Sequence, residues 1–370
     1  MRPVLIALLA GFASAVPAAD LVVHEWGTIT TVHDFAGKPQ TGLNKIDVAD
    51  VLPDFVHRYE PEHTRHDPKK AFAKSPLVPG RPDVTMRLET PVIYFHPPAG
   101  KPYEKPIDVT VRFRGGILNE FYPAAGAAVQ VDTERVADKQ SSGGLPRAWS
   151  FDILNNYVVS SLTWSAVRLH DTVVAPLTDN PIWLAPRDVQ SASVFLPEAG
   201  EGERFLFYRG VAHLDALLQT RVSGGAVRIA APRILTWFDT PSVRLAQVWL
   251  ADIRVDGRVA FREHGAVTLT RDNPGQTLGS LRRFSAADYA AEGVKKLRAS
   301  LRRALLDQGL FADEAEAMLN TWKTSYFEKP GLRVFYVVPT EWMEYFLPLS
   351  FSEAARVRRV IIGRIDFVGS

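Results

Sequence analysis

Two hydrophobic periods divide this chain. Up to about residue 284, apolar side chains tend to alternate with polar ones in short runs; beyond it they recur every third or fourth position. Strand-like runs rich in Val, Ile, Thr and aromatics cover Leu21 to Val32, Leu88 to His96, Ile107 to Phe113, Ala148 to Ile153, Val158 to Val167, Ser191 to Leu196, Arg204 to Tyr208 and Gly225 to Ile229. Each is bounded by Gly, Pro, Asn or Asp, the punctuation of antiparallel β structure. Val243 to Val255 and Arg258 to His264 flank Asp256-Gly257, which predicts a hairpin closed by a type I′ turn with both central φ values positive. One face of that hairpin is apolar, so a second layer must cover it.

The period then lengthens. Ser285 and Asp288 form a capping-box pattern, followed by Ala290, Val294, Leu297, Leu301 and Leu305 at helical spacing and a stop at Gly309. Phe311, Ala315, Met318 and Trp322 form a second helical stripe, broken at Pro330-Gly331. Leu332 to Val338 and Val357 to Phe367 read as strands around a short helix at Glu341 to Phe346. The fold class expected is therefore mainly β and α+β: an antiparallel β-sandwich-like region over 20–280, with a C-terminal helix pair and α+β extension over 281–370 packed on it as one unit. Residues 34–83 carry seven prolines and many charges, and read as a surface excursion.

Met1-Arg2-Pro3, the apolar run Val4 to Ala10 and small residues through Ala19 have the three-part order of a secretory signal, with cleavage expected between Ala15 and Ala19. The apolar run is too short to span a bilayer, and no later segment reaches the required length without a charge. A periplasmic or secreted location follows, with no transmembrane segment in the mature chain. Composition narrows the chemistry further. With 43 Lys+Arg against 41 Asp+Glu, the formal charge of +2 makes no global case for nucleic acid as a partner. Cys is 0, which excludes disulfides, thiolate metal sites and thiol nucleophiles. The basic run from Arg282 to Arg303 reads as the solvated face of a helix. No Gly-x-Ser-x-Gly elbow, P-loop, dinucleotide-binding glycine pattern or His-Glu-x-x-His helix is present.

What remains is a concentration of titratable groups near the N-terminus, where six of nine histidines fall within the first 96 residues. His24-Glu25-Trp26-Gly27-Thr28 joins a titratable pair to an indole and to a glycine that permits a bulge. His57 to Asp67 holds His57, His63 and His66 among carboxylates, a set that supplies N and O ligands for a divalent metal ion. Its other reading is a solvated polar loop. Glu89 precedes the apolar run ending at His96, and Glu120 sits beside Phe121 and Tyr122. Pairs among Glu25, Glu89 and Glu120 could serve as acid and base on a glycoside if about 5–9.5 Å apart, or could be salt-bridge partners of arginines such as Arg209.

The motifs His24-Glu25-Trp26-Gly27-Thr28, Leu88 to Phe95, Glu120 to Pro123, Phe205 to Gly210, Thr321-Trp322 and Gly331 to Val334 together resemble an uncharacterised family of exported bacterial proteins. The resemblance runs over nearly the whole mature chain and implies one cooperative unit. It brings no activity, cofactor or catalytic residue with it. Two functional expectations stand. One is a hydrolase acting on a cell-envelope or environmental polymer, metal-assisted, with Glu25, Glu89 and Glu120 as acids or bases and His24, His96, His63 and His66 as metal ligands. The other is a non-catalytic envelope or carbohydrate-binding protein contacting polysaccharide through Trp26, Tyr122 and Arg209. Carboxylates gathered with histidines in one cleft would favour the first; carboxylates dispersed onto arginines would favour the second.

Overall fold

The computed structural model describes residues 21–43, 51–59, 83–98, 102–131, 157–232 and 240–369. The expected signal segment, the expected strand at Ala148 to Ile153, and His63 and His66 lie outside those residues. In chain order the strands are β1 (Leu21–Asp34), β2 (His57–Arg58), β3 (Met86–His96), β4 (Ile107–Arg114), β5 (Gly116–Tyr122), β6 (Gly126–Val131), β7 (Val158–His170), β8 (Ser193–Leu196), β9 (Glu201–Glu203), β10 (Leu206–Ala212), β11 (Gln219–Ser223), β12 (Ala226–Ala230), β13 (Ser242–Ile253), β14 (Val259–Thr270), β15 (Thr277–Arg282), β16 (Gly331–Val337), β17 (Leu349–Phe351) and β18 (Ala355–Val368). The helices are α1 (Pro181–Arg187), α2 (Gly293–Asp307), α3 (Ala312–Thr321) and α4 (Thr340–Phe346), with one π-helical turn at Thr324–Glu328.

A nine-stranded sheet dominates, in the order β14-β13-β16-β18-β1-β3-β10-β5-β2. A six-stranded sheet built around β4 and β7, and a three-stranded sheet β11-β12-β15, complete the β structure. Alternation along the strands of the large sheet sends one set of side chains toward the smaller sheets and the other toward the helices. Leu21, Val23 and Ile29 of β1 therefore join Val109 and Phe113 of β4 and Trp164 of β7 in one core. Trp26 of β1 joins Leu297, Leu301 and Leu305 of α2, and Met318 of α3, in another. From the helical stripes read in the sequence, Leu297, Leu301, Leu305, Ala315, Met318 and Trp322 are buried, whereas Ala290 and Phe311 at their starts are exposed. The basic face of α2 is laced by ion pairs, Arg298 and Arg302 to Glu316 and Arg303 to Glu263.

Among the described residues the strand pairings are antiparallel with one exception: β1 and β18 run parallel in the middle of the large sheet, Glu25 opposite Arg359. The C-terminal quarter thus supplies strands β16 and β18 to the interior of this sheet, as well as helices to its face.

Two local expectations change. The hairpin forms where expected, but Gly257 alone has positive φ, at +78°, and Asp256 does not. With Arg254 N–H donating to the Arg258 carbonyl, this is a type I turn followed by a left-handed glycine, the bulged three-residue loop, in place of type I′. The Ser285–Asp288 capping box is present, yet it closes only a three-residue 3-10 turn, and α2 begins at Gly293.

Candidate functional site

The bulge that Gly27 permits lies opposite it on β3. Trp26 pairs with Val92 and Thr28 with Glu89, so Thr90 and Pro91 together face Gly27. A Cβ on Gly27 would come within 2.9 Å of the Pro91 Cα, and Thr90 takes a φ of +48°. The bulge keeps Arg87 and Glu89 on the helix-facing side of the sheet together with Val92 and Tyr94.

On that side a row of charges crosses seven adjacent strands, from β16 through β18, β1, β3, β10 and β5 to β2. Arg333 lies 3.7 Å from Asp366, and Arg364 lies 3.3 Å from Asp366 and 3.6 Å from Glu89. Arg87 reaches Glu89 at 2.5 Å, while the Thr30 hydroxyl donates to Glu89 at 3.0 Å. Arg209 and Arg58 flank Glu120 at 3.6 and 3.4 Å. Burial would raise the Glu89 carboxyl, but the guanidiniums of Arg87, Arg364 and Arg209, with the Thr30 hydroxyl, more than offset it and hold it below the ordinary carboxylate value. Glu89 is thus held as a charged partner for its arginines rather than as a proton donor.

Glu25 points the other way, into the core between the sheets. It accepts from the Tyr208 hydroxyl and pairs with Arg359 at 2.6 Å. Burial and the Glu25 charge push the Tyr208 hydroxyl well above its usual range. The three carboxylates expected to act together are therefore divided by the sheet, and each is held by at least one arginine.

The expected aromatic contacts also change role. Trp26 is fully buried and stacks on Tyr94 with centroids 5.9 Å apart. Tyr122 is buried among Phe55 and Trp183. Neither ring offers a face to solvent. Arg209 is buried and committed to Glu120 and Thr90. Of the expected histidine-rich loop, His57 is described, and it pairs with Glu201 at 2.9 Å.

Two other features emerge. The first is a cleft of about 1550 Å³ where the C-terminal ends of β1 and β18 meet α1, the end of α3 and the π-helical turn. Arg87 and Arg364 from the charged row form part of its wall. Asn180 comes from the cap of α1, where its side chain accepts from the Ile182 N–H, and Asn320, Thr321 and Trp322 come from the end of α3. Lys323, Thr324, Ser325 and Glu328 come from the π turn, a geometry often found at functional sites. Among the described residues, four basic and four acidic side chains line it, Asp54, Asp179, Glu328 and Asp366 being the acids.

The second feature joins His24 and His96 at the opposite end of the same sheet face. They sit diagonally on β1 and β3, with ring centroids 5.1 Å apart. Glu314, at the third residue of α3, reaches both: Oε2 is 2.6 Å from His24 Nδ1 and Oε1 is 3.0 Å from His96 Nε2. The Phe311 N–H donates to the same carboxylate at 2.7 Å, capping the helix. Burial would raise the Glu314 carboxyl, but the hydrogen bonds from His24 and His96, the His24 charge and the Phe311 amide bring it down to about 2. Half-exposed Phe311 packs its ring on both imidazoles, at 4.5 and 4.9 Å. Both histidines stand out in the sequence; the glutamate, 290 residues from His24, does not. Its one local signal was position: an acid three residues into a helical stripe.

No family model matches the chain, and no curated protein matches it. Among solved structures, a yeast delta-COP-I mu-homology domain complexed with a Dsl1 WxWxV peptide is similar with a TM-score of 0.25 and 9% identity, over 95% of this chain and 98% of that one. A superposition that loose carries no argument about this chain. No helix among the described residues is long and apolar enough to cross a membrane.

Proposed function

We propose that this chain is a non-catalytic binding protein that holds a segment of polyhydroxylated polymer, an envelope or environmental polysaccharide, in the cleft beside the π-helical turn. The observation that carries the reading is the fate of the carboxylates. Glu25, Glu89 and Glu120 are each engaged by arginine, and Glu25 lies on the far side of the sheet. Glycoside hydrolysis by these three would need two of their carboxyl groups facing one bond. The cleft is larger than the roughly 300–1,000 Å³ of a small-molecule pocket, which supports an extended ligand. Its balanced charge and its mixture of amides, hydroxyls, carboxylates and guanidiniums supply donors and acceptors side by side. Sugar hydroxyls, which donate and accept at once, use such a surface fully. The exported location expected from the sequence gives the protein access to such polymers.

A glycan array followed by calorimetry on the best ligand tests this. Binding without release of reducing ends is expected. Asn320→Ala and Thr324→Ala, both at exposed positions, should each weaken it about fivefold, the value of one hydrogen bond, at unchanged melting temperature. Reducing ends released by the wild type, and lost in Glu89→Gln or Glu120→Gln protein of unchanged melting temperature, would replace the reading with a hydrolase.

A further inference from the structure

Five carboxylates are buried among the described residues: Glu25, Glu89, Glu120, Glu203 and Glu314. Four of them face arginine, with Glu203 held by Arg187 at 2.6 Å. Glu314 is the exception, for its side-chain partners are two imidazoles. A helix cap explains one of its oxygens and requires neither ring. We propose that His24, His96 and Glu314 form a binding site for one divalent transition-metal ion of zinc-like ligand preference.

One ligand atom from each of the three residues lies within 4.8 Å of the others. Zinc bonds of 2.0–2.2 Å require tetrahedral ligands to sit roughly 3.3 Å apart, so small side-chain rotations open the carboxylate from the imidazoles and admit the ion between them. Two neutral imidazoles and one carboxylate give a site of net charge +1, favouring zinc and its neighbours over calcium or magnesium, which take oxygen ligands. Three protein ligands leave a fourth position. The side chain of His96 is 13% exposed and those of His24 and Glu314 are nearly inaccessible, so that position opens past His96, against the ring of Phe311. The ion would tie β1 and β3 to the first turn of α3.

The test is calorimetric titration of Zn²⁺ into chelator-treated, folded protein, with Co²⁺ as a spectroscopic probe. One saturating Zn²⁺ per chain and a visible Co²⁺ band of four-coordinate intensity are expected. His96→Ala, placed at the rim to spare the fold, should weaken binding at least tenfold and abolish the band, whereas His63→Ala/His66→Ala should leave both unchanged. Glu314→Gln should also lose the band while circular dichroism remains native. Absence of Zn²⁺ uptake by folded wild type would overturn the site. So would binding that survives His96→Ala or that disappears with His63 and His66.

Discussion

His33 and His24 share a strand but not a face. His24 meets the helices, whereas His33 is buried on the side of the smaller sheets, its Nδ1 2.9 Å from the Thr220 hydroxyl. Burial lowers its pKa from 6.5 to about 4 in spite of the adjacent Asp34. A depressed folded value means that the unfolded chain takes up the proton first. The associated stability is present above pH 6.5 and is lost as pH falls from 6.5 toward 4, by as much as about 3 kcal/mol. Urea denaturation at stepped pH should show this loss for the wild type and a shallower slope for His33→Gln; equal slopes would sink the assignment. Residue type flagged the candidates in the sequence, but partners decided their roles. His24 and His96 were legible because six of the nine histidines crowd into the first 96 residues. Glu314 was not, since its meeting with them depends on where α3 docks. Glu25 and Glu89 look alike in the sequence, and only the bulge opposite Gly27 and the parity of each strand place them on opposite faces.

At the scale of elements, period-2 runs and helical stripes were read close to their observed positions because burial enforces them. Turn geometry was harder: Asp-Gly suits two kinds of hairpin loop, and the backbone around Arg254 and Arg258 selects between them. Strands β2, β9 and β17 are too brief for any period to register, and β5, β6, β11, β15 and helix α1 were missed as well; β5, buried along its whole length, shows no alternation to read. Close packing within the sheet adds a constraint of its own. Gly363 of β18 pairs directly with Tyr336 of β16, and the Tyr336 ring lies over it, so a methyl group there would overlap the ring. Gly363→Ala is expected to destabilise the protein by about 1–3 kcal/mol through overpacking. Tyr336→Leu/Gly363→Ala together should recover part of that loss. A melting temperature unmoved by Gly363→Ala would show that the ring swings aside freely.

For the whole molecule, the fold class was legible in the sequence, but the strand order was not. Local pattern identifies a strand; it carries nothing about a neighbour more than 300 residues away. Yet β18 lies between β1 and β16, with Glu25 and Arg359 paired across 334 residues of chain. Deleting residues 355–370 should therefore remove an inner strand and leave no cooperative thermal transition and no near-ultraviolet circular dichroism. Retention of either would mean that the remaining sheet closes without it.

That strand order also sets a clock. Synthesis at about 5–20 residues per second separates the emergence of Glu25 from that of Arg359 by roughly 20–70 s. Throughout that interval the β1 edge that will receive β18 has no mate, and any early pairing there is a wrong one. A nascent chain with this topology is served by staying open and soluble until its last strand arrives, so delayed collapse favours its yield more than fast local folding does.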